Sequence, residues 1–293
     1  MNQTLNDRLR ALEYCQGLLR SHDLSAYMHC HFLPAQLQPH FHAIHALKIE
    51  LFKAGELARH STLRASRMAW WLDNIEKARL NQPNPEPVSI ALDYMQRRVS
   101  VRKSHMERMV RGRLEDVSLK TWAQFDRFVD DNYAMPFYLL LEVMGLYGEA
   151  EFTAATFVGR AVGIADILSR TRLYVETGRC LFPEEILLKV LATQHHISPG
   201  SFQEQEGVQT LPESFYDAVL EVAAYGKRYL QDAREVKGLP GASFVALLPA
   251  VQAEMYYERL EKWNFAVMNG RTHKVNALKS FVGLLKGYRG RRF

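Results

Sequence analysis

Residues 157–168, FVGRAVGIADIL, carry the clearest helical pattern in the chain. Apolar residues recur along them at intervals of three or four, at Phe157, Ala161, Ile164 and Leu168. This spacing places the four side chains on one face of a helix, where they can pack together against a core. The pattern therefore predicts an amphipathic helix rather than a strand.

The same helical spacing extends over much of the chain. Residues 214–236 repeat it, and Pro87 stands where a helix would begin, since proline is tolerated in the first turn. Proline- and glycine-rich breaks at 82–87 and 238–241 separate the periodic segments. These observations predict an all-α domain of about ten helices, at ordinary helix and loop lengths.

Composition narrows the class of protein. The chain has 293 residues, of which 47% are hydrophobic and 24% charged, values that exclude a disordered or collagen-like chain. The most apolar run, 137–147, is interrupted by Glu142, so we expect no transmembrane segment. Three widely spaced cysteines without a CxxC pair argue against a disulfide framework.

Positive charge is unevenly distributed, although the formal net charge is only +5. Glu261 is the last acidic residue, and a second basic run covers residues 97–113, with Glu107 as its one acid. Such blocks suit a lipid headgroup, an RNA or an acidic protein face, but they are equally typical of a solvated helix surface. The candidate contacts to an anionic partner are Arg97, Arg98, Arg102, Lys103, Lys286, Arg289, Arg291 and Arg292.

Histidines near the N-terminus are candidate metal ligands. His42 and His45 are three residues apart on a predicted helix, a spacing that can present two ring nitrogens to one metal. No HExxH motif accompanies them, and isolated histidines are more often packed than ligating, so we expect no metal. The sequence also has no GxGxxG, P-loop or GxSxG motif to support a nucleotide site or a serine hydrolase.

An ordered set of short motifs resembles the squalene/phytoene synthase family between Tyr14 and Arg234. RMAWW at 67–71, YLLLEVMG at 138–145 and GRCLFP at 178–183 are each weak, but their order is specific. The resemblance implies an all-α isoprenoid-synthase fold with a central cavity. It divides the chain into a short extension (1–13), the helical domain (14–268) and a basic C-terminal tail (269–293).

Active members of this family join two prenyl diphosphates head to head, using two helical DxxxD motifs that hold Mg²⁺ against the diphosphate. Aligned by eye, these motifs fall on Phe52 to Glu56 and on Arg170 to Tyr174, so only Glu56 remains acidic. Phenylalanine, arginine and tyrosine lack the oxygen donors that Mg²⁺ prefers. We therefore expect a pseudoenzyme with no catalytic residue, no bound metal and no cofactor. Asp166 and Arg170, four residues apart on a helix, should form an ion pair.

The chain also resembles the non-catalytic branch of the family that contains mitochondrial complex I assembly factors, through ALKIEL at 46–51. The resemblance implies an assembly factor in the mitochondrial matrix or on the matrix face of the inner membrane, with any presequence very short or already removed. Its client would be complex I or the mitochondrial ribosome, with protein subunits, ribosomal RNA and a peripheral membrane contact as candidate partners. Two alternatives stay open: a lipid or isoprenoid carrier, and an active Mg²⁺-dependent prenyl transferase with atypical ligands.

Overall fold

A computed structural model describes residues 5–56, 61–114, 119–176, 180–193, 204–205, 208–209, 213–273 and 276–293. They are nearly all helical, which confirms the predicted all-α class. In chain order the elements are α1 (Leu5–His22), α2 (Leu24–Cys30), α3 (Gln38–Glu56), α4 (Ser61–Arg79), α5 (Pro87–Gln96), α6 (Lys103–Arg111), α7 (Trp122–Val129), a π-helical turn (Asp130–Ala134), α8 (Met135–Val143), α9 (Glu149–Ser169), α10 (Thr171–Glu176), α11 (Glu184–Thr193), β1 (Glu204–Gln205), β2 (Val208–Gln209), α12 (Glu213–Glu235), α13 (Ser243–Leu247), α14 (Pro249–Lys262), α15 (Gly270–His273) and α16 (Ala277–Gly290). The two short strands pair antiparallel.

The long helices form where the apolar periodicity predicted them. Residues 157–168 lie within α9, and the expected helix at 214–236 is α12. Pro87 begins α5, because the carboxylate of Glu86 caps it by accepting hydrogen bonds from the N–H groups of Val88 and Ser89. These side-chain bonds satisfy two backbone donors that have no partner within the helix.

The number of helices was predicted wrongly. The described residues contain sixteen α-helices and a π-helical turn, whereas the sequence suggested about ten. The additional elements include α2, α10, α13 and α15, which are four to seven residues long. A helix of this length is shorter than the window over which a 3.6-residue period can be recognised.

Helix α9 is the central packing element. Two of its glycines let the π-helical turn approach closely: a Cβ added at Gly159 would lie 2.5 Å from the Cα of Ala134. One added at Gly163 would lie 2.7 Å from the ring of Tyr133. No side chain fits in either space. The close approach holds the Tyr133 hydroxyl beside Asp166 on α9, where the candidate site lies.

A polar cluster ties four elements together next to α9. The guanidinium of Arg160 donates to both carboxylate oxygens of Asp130, at 2.7 and 2.8 Å, and to the hydroxyl of Tyr229 at 3.0 Å. That hydroxyl donates in turn to Asp126 at 2.7 Å. The cluster connects α7, the π-helical turn, α9 and α12, and charge-assisted bonds of this kind fix their mutual register.

One described helix, α9, is long and apolar enough to cross a membrane by length and composition alone, although no such segment was predicted. It contains Arg160 and Asp166, and 56% of its most apolar window is buried inside the protein. A core helix passes the same test, so this finding is weak evidence for a membrane span.

The segment predicted as a basic tail contains a packed helix, α16. Its Leu284 belongs to a small buried cluster with Met28, Phe244 and Leu248, so the helix lies against α2, α13 and α14. Asn276 caps its first turn by accepting from the N–H of Lys279. The division of the chain at residues 13 and 268 stays a prediction.

Candidate functional site

The first degenerate motif lies in the last turn of α3. The Phe52 ring stands between two guanidinium groups, with the Cζ of Arg113 5.2 Å and that of Arg170 4.6 Å from the ring centroid. Arg113 is itself buried, at 7% exposure. Cation–π attraction stabilises such an arrangement, more so where the cation is partly desolvated. Of Glu56, the last residue of α3, the structure describes only the backbone.

The second degenerate motif begins at the end of α9, where Arg170 is bound to Asp166. The Nε of Arg170 donates to both carboxylate oxygens of Asp166, at 3.0 and 2.9 Å, which confirms the predicted ion pair. Tyr133 donates its hydroxyl hydrogen to the same carboxylate at 2.9 Å. The negative charge of Asp166 raises the pKa of Arg170 above its usual range, so this guanidinium is permanently charged.

Tyr174, at the last position of this motif, is buried in α10 at 2% exposure. The positions predicted for the second motif thus hold a guanidinium and a phenol. Of the described side chains around them, the carboxylate of Asp166 already accepts from both Arg170 and Tyr133. These side chains do not fit Mg²⁺, which requires several oxygen ligands. Among the residues that the structure describes, no group of three or more His, Cys, Asp or Glu side chains could hold a metal ion.

A central cavity of about 190 Å³ opens beside these residues, as the resemblance implied. It is walled by α2, α3, α8, α9 and α14, and it lies below the range of roughly 300–1,000 Å³ typical of small-molecule pockets. One part of the wall is apolar, with Phe41, Phe137 and Leu140. The cavity therefore joins an apolar chamber to the charged groups around Arg170.

The polar part of the wall carries three cations and two carboxylates. Lys48 donates to Asp23 at 3.3 Å, Arg170 pairs with Asp166, and Arg259 also lines the cavity. Burial alone would raise the pKa of Asp23, but nearby positive charge, led by Lys48, together with hydrogen bonds from Lys48 and the N–H of Ala26 lowers it and keeps the carboxyl ionised. Burial lowers the pKa of Arg259. The formal charges of these five groups leave the wall positive.

The sequence did not predict two further polar groups that line the cavity. The Nε2 of Gln252 and the hydroxyl of Tyr256 are buried, and the part of the chain that the structure describes offers neither of them a hydrogen-bond partner. A buried donor without a partner costs about 1–3 kcal/mol. Both residues lie one turn apart on α14, a spacing visible in the sequence, but nothing in the sequence places that face against α3.

The early histidines are packed rather than arranged as a metal site. His42 contacts the thiol of Cys30 through Nε2 at 3.2 Å, and His45 stacks on Phe41 with ring centroids 4.1 Å apart. Burial lowers the pKa of His42 to about 4 and that of His45 to about 3, so both rings are neutral near pH 7.

The central basic run is largely neutralised by acids from elsewhere in the sequence. Arg97 pairs with Asp93 at 2.8 Å, and Arg102 lies 3.3 Å from the fully buried carboxylate of Glu142. Lys103 pairs with Glu76 and Glu107, while Arg98 stacks on the ring of Tyr94. The expectation that Glu107 alone offsets this run is therefore wrong. Contact of these residues with an anionic partner stays a prediction.

The helical architecture places the chain in a fold class, that of the squalene and dehydrosqualene synthases. The structure superposes on a dehydrosqualene synthase with a TM-score of 0.78 at 14% identity, covering 97% of each chain. It superposes on a squalene synthase from Alicyclobacillus acidocaldarius with a TM-score of 0.72 at 15% identity, covering 89% of this chain and 97% of that one.

Sequence comparison gives the particular family. Residues 19–278 match squalene/phytoene synthase, and the chain belongs to this family. It is 23% identical over 282 residues to "NADH dehydrogenase (ubiquinone) complex I, assembly factor 6" of Mus musculus, covering 95% of this chain and 82% of that one. The Homo sapiens protein of the same name is 23% identical over 280 residues, with 94% and 81% covered. Of the motif GRCLFP, Gly178 and Arg179 lie outside the described residues.

Proposed function

We propose that this chain is a non-catalytic member of the squalene/phytoene synthase family that acts as an assembly factor by binding protein partners. The observation that carries the proposal is the Phe52 ring, which lies against the guanidinium groups of Arg113 and Arg170. Phe52 and Arg170 stand at the first positions of the two motifs that the family resemblance assigns to magnesium binding, and Arg113, just after α6, brings a second cation to the same ring. Such a site repels divalent cations, because a guanidinium offers no lone pair to a metal.

The names of the relatives support the choice of client. Proteins called complex I assembly factor 6 align with nearly the whole chain. We therefore propose that the client is complex I of the respiratory chain. We propose a mitochondrial location as well, in the matrix or on the matrix face of the inner membrane. The mitochondrial ribosome is the competing client, and the basic residues of the C-terminal segment are the feature that would favour an RNA-containing partner.

A condensation assay tests the loss of catalysis. The chain is incubated with farnesyl or geranylgeranyl diphosphate and Mg²⁺, with a dehydrosqualene synthase as the positive control, and the products are extracted and analysed. We expect no head-to-head product at any Mg²⁺ concentration. Product above the level of a heat-denatured sample would establish the active prenyl transferase instead.

Affinity capture tests the choice of partner. The tagged chain is recovered from mitochondria with and without nuclease treatment, and the bound proteins are identified by mass spectrometry. We expect complex I subunits in both samples. Capture of ribosomal proteins that disappears after nuclease treatment would replace complex I by the ribosome as the client. Recovery of neither set of subunits would contradict the assembly role.

The cavity supports a second candidate, a carrier of a small anionic or isoprenoid-like molecule. Its specific observation is the pairing of an apolar chamber with a positive wall and the unpartnered groups of Gln252 and Tyr256. A ligand with an anionic head could accept from both groups and from Lys48 or Arg170 without a metal. Native mass spectrometry of the purified protein tests this candidate: an unligated mass under gentle conditions contradicts it.

A further inference from the structure

Helix α16 packs Gly283, Gly287, Ser280 and Leu284 inward and places several other large apolar residues outward. Toward α14 it presents Gly283 and Gly287: a Cβ added at Gly287 would lie 3.0 Å from Val251, so the two helices are in close contact. Ser280 and Leu284 complete the buried side. An amphipathic helix of a globular protein normally places its large apolar side chains toward the core, so the outward set requires a separate explanation.

The outward side chains form a continuous apolar surface. Leu278 is 74% exposed, Phe281 37% and Val282 39%, and Leu285 lies one turn further along the same face. The exposed Tyr288 extends this surface at the C-terminal end of the helix. Single exposed apolar residues are common, but contiguous ones rimmed by charge mark an interaction surface.

Aromatic contacts join this surface to the neighbouring loop. Phe32, just after α2, lies with its ring centroid 5.5 Å from that of Phe281 and 5.3 Å from that of Tyr288. The three rings form one platform that holds the exposed side of α16 in place. The surface is therefore built on a packed helix and a fixed aromatic cluster.

The charged residues of α16 itself are all positive. Lys279, Lys286 and Arg289 share the outward side of α16, and among the ion pairs described in the structure none involves these three residues. No acidic residue follows Glu261 in the sequence. The basic run at 97–111 differs, because most of its cations are paired within the protein. Helix α16 thus carries cations without a described ion pair beside its exposed apolar residues.

We propose that this C-terminal face, formed by Leu278, Phe281, Val282, Leu285 and Tyr288 with Lys279, Lys286 and Arg289, docks on the surface of an anionic lipid bilayer. A helix lying in the interface buries its apolar side chains below the headgroups while lysine and arginine reach the phosphates. The tyrosine ring suits the headgroup level, where its hydroxyl stays hydrated. Each cation near an anionic surface adds to the binding.

Aliphatic residues distinguish a bilayer from an RNA as the occupant. RNA-binding surfaces stack bases on free aromatic rings, whereas the rings of Phe281 and Tyr288 already pack against Phe32. The most exposed apolar side chain of the face, Leu278, is aliphatic and suits acyl chains. The chemistry of the face therefore favours a lipid bilayer, in which acyl chains lie beneath negatively charged headgroups.

Vesicle sedimentation tests the proposal on the full chain. Vesicles of phosphatidylcholine alone are compared with vesicles that also contain phosphatidylglycerol, at low and high salt. We expect sedimentation with the anionic vesicles only, weakening as salt screens the headgroup charge. The double variant Leu278→Ser, Val282→Ser should bind the anionic vesicles at least about tenfold more weakly, because it loses apolar surface that the bilayer would bury. Lys279→Gln with Lys286→Gln should weaken binding and flatten its salt dependence.

A matched control removes apolar residues of similar exposure elsewhere. Leu63→Ser with Leu220→Ser, on α4 and α12 at 45% and 44% exposure, should leave vesicle binding unchanged. Circular dichroism verifies that each variant is folded, and the single variant Leu278→Ser, at the most exposed position of the face, serves if the double variant unfolds.

The proposal is overturned if the wild-type chain stays in the supernatant with every vesicle, or if Leu278→Ser and the double variant bind like wild type. It is also overturned if the face proves to be a dimer contact whose loss changes the oligomeric state.

Discussion

At the scale of single residues, the distinctive feature is Phe52, whose ring lies against the guanidinium groups of Arg113 and Arg170. The proposed alignment places Phe52 where active members of the family have a metal-binding acid. We propose that the two guanidinium groups supply, in permanent form, the positive charge that divalent ions bring to the diphosphate in those members.

The ion pair between Arg170 and Asp166 should contribute to stability. Arg170→Met leaves a partly buried carboxylate whose remaining partner is Tyr133, so we expect the free energy of unfolding to fall by about 1–2 kcal/mol. The control is Arg172→Met, which removes a similarly spaced but more exposed pair with Glu176 and should cost about 0.5 kcal/mol or less. Urea denaturation measures both variants. Equal losses would contradict a special role for Arg170.

The sequence predicted one half of this site and missed the other. Asp166 and Arg170 are four residues apart on a helix, so local geometry alone brings them together. Arg113 approaches Phe52 only because α3 and the end of α6 pack side by side, a contact between distant segments that no local pattern reveals. The unpartnered groups of Gln252 and Tyr256 were missed for the same reason.

At the scale of elements, the contact between α9 and the π-helical turn positions Tyr133. Long helices were predictable because their apolar period extends over several turns, as in α9 and α12. The π-helical turn was not, because it inserts a widened turn into an otherwise continuous helical pattern. Tertiary contacts at Gly159 and Gly163 therefore decide where the turn lies.

Gly159→Ala tests this contact. The new methyl group would meet the backbone of Ala134, which cannot move aside as a flexible side chain can, so we expect a loss of about 2 kcal/mol or more in the free energy of unfolding. Gly17→Ala, on α1 with no atom within 4 Å of the added Cβ, should instead raise it by about 0.5–1 kcal/mol through helix propensity. Chemical denaturation compares the two. A Gly159→Ala variant as stable as wild type would show that the helix and the turn are not in close contact.

At the scale of the whole molecule, the packing of α2 and α3 lowers the pKa of four histidines by burial, His29, His40, His42 and His45. His29 donates from Nε2 to the carbonyl oxygen of Val245 at 2.7 Å, which ties α2 to α13. Burial lowers the pKa of His29 and of His42 to about 4 and that of His45 to about 3. The rings of His29, His42 and His45 are neutral when the protein is folded near pH 7. None of them belongs to a group of described side chains that could hold a metal ion.

The buried histidines make stability depend on pH. In the unfolded chain each has a pKa of about 6.5, so between that value and about 4 the unfolded state binds more protons than the folded state. The free energy of unfolding is therefore at its full value above pH ~6.5 and falls as the pH is lowered, by about 1 kcal/mol per histidine between pH ~7 and ~5.5. His29→Gln should be less stable at neutral pH but should lose between about a quarter and a third of this pH dependence, because His40 also contributes to it. His22→Gln, on the exposed end of α1, should keep all of it. Thermal or urea unfolding across this range measures the slope, and a His29→Gln slope equal to that of wild type would mean that His29 titrates normally in the folded protein.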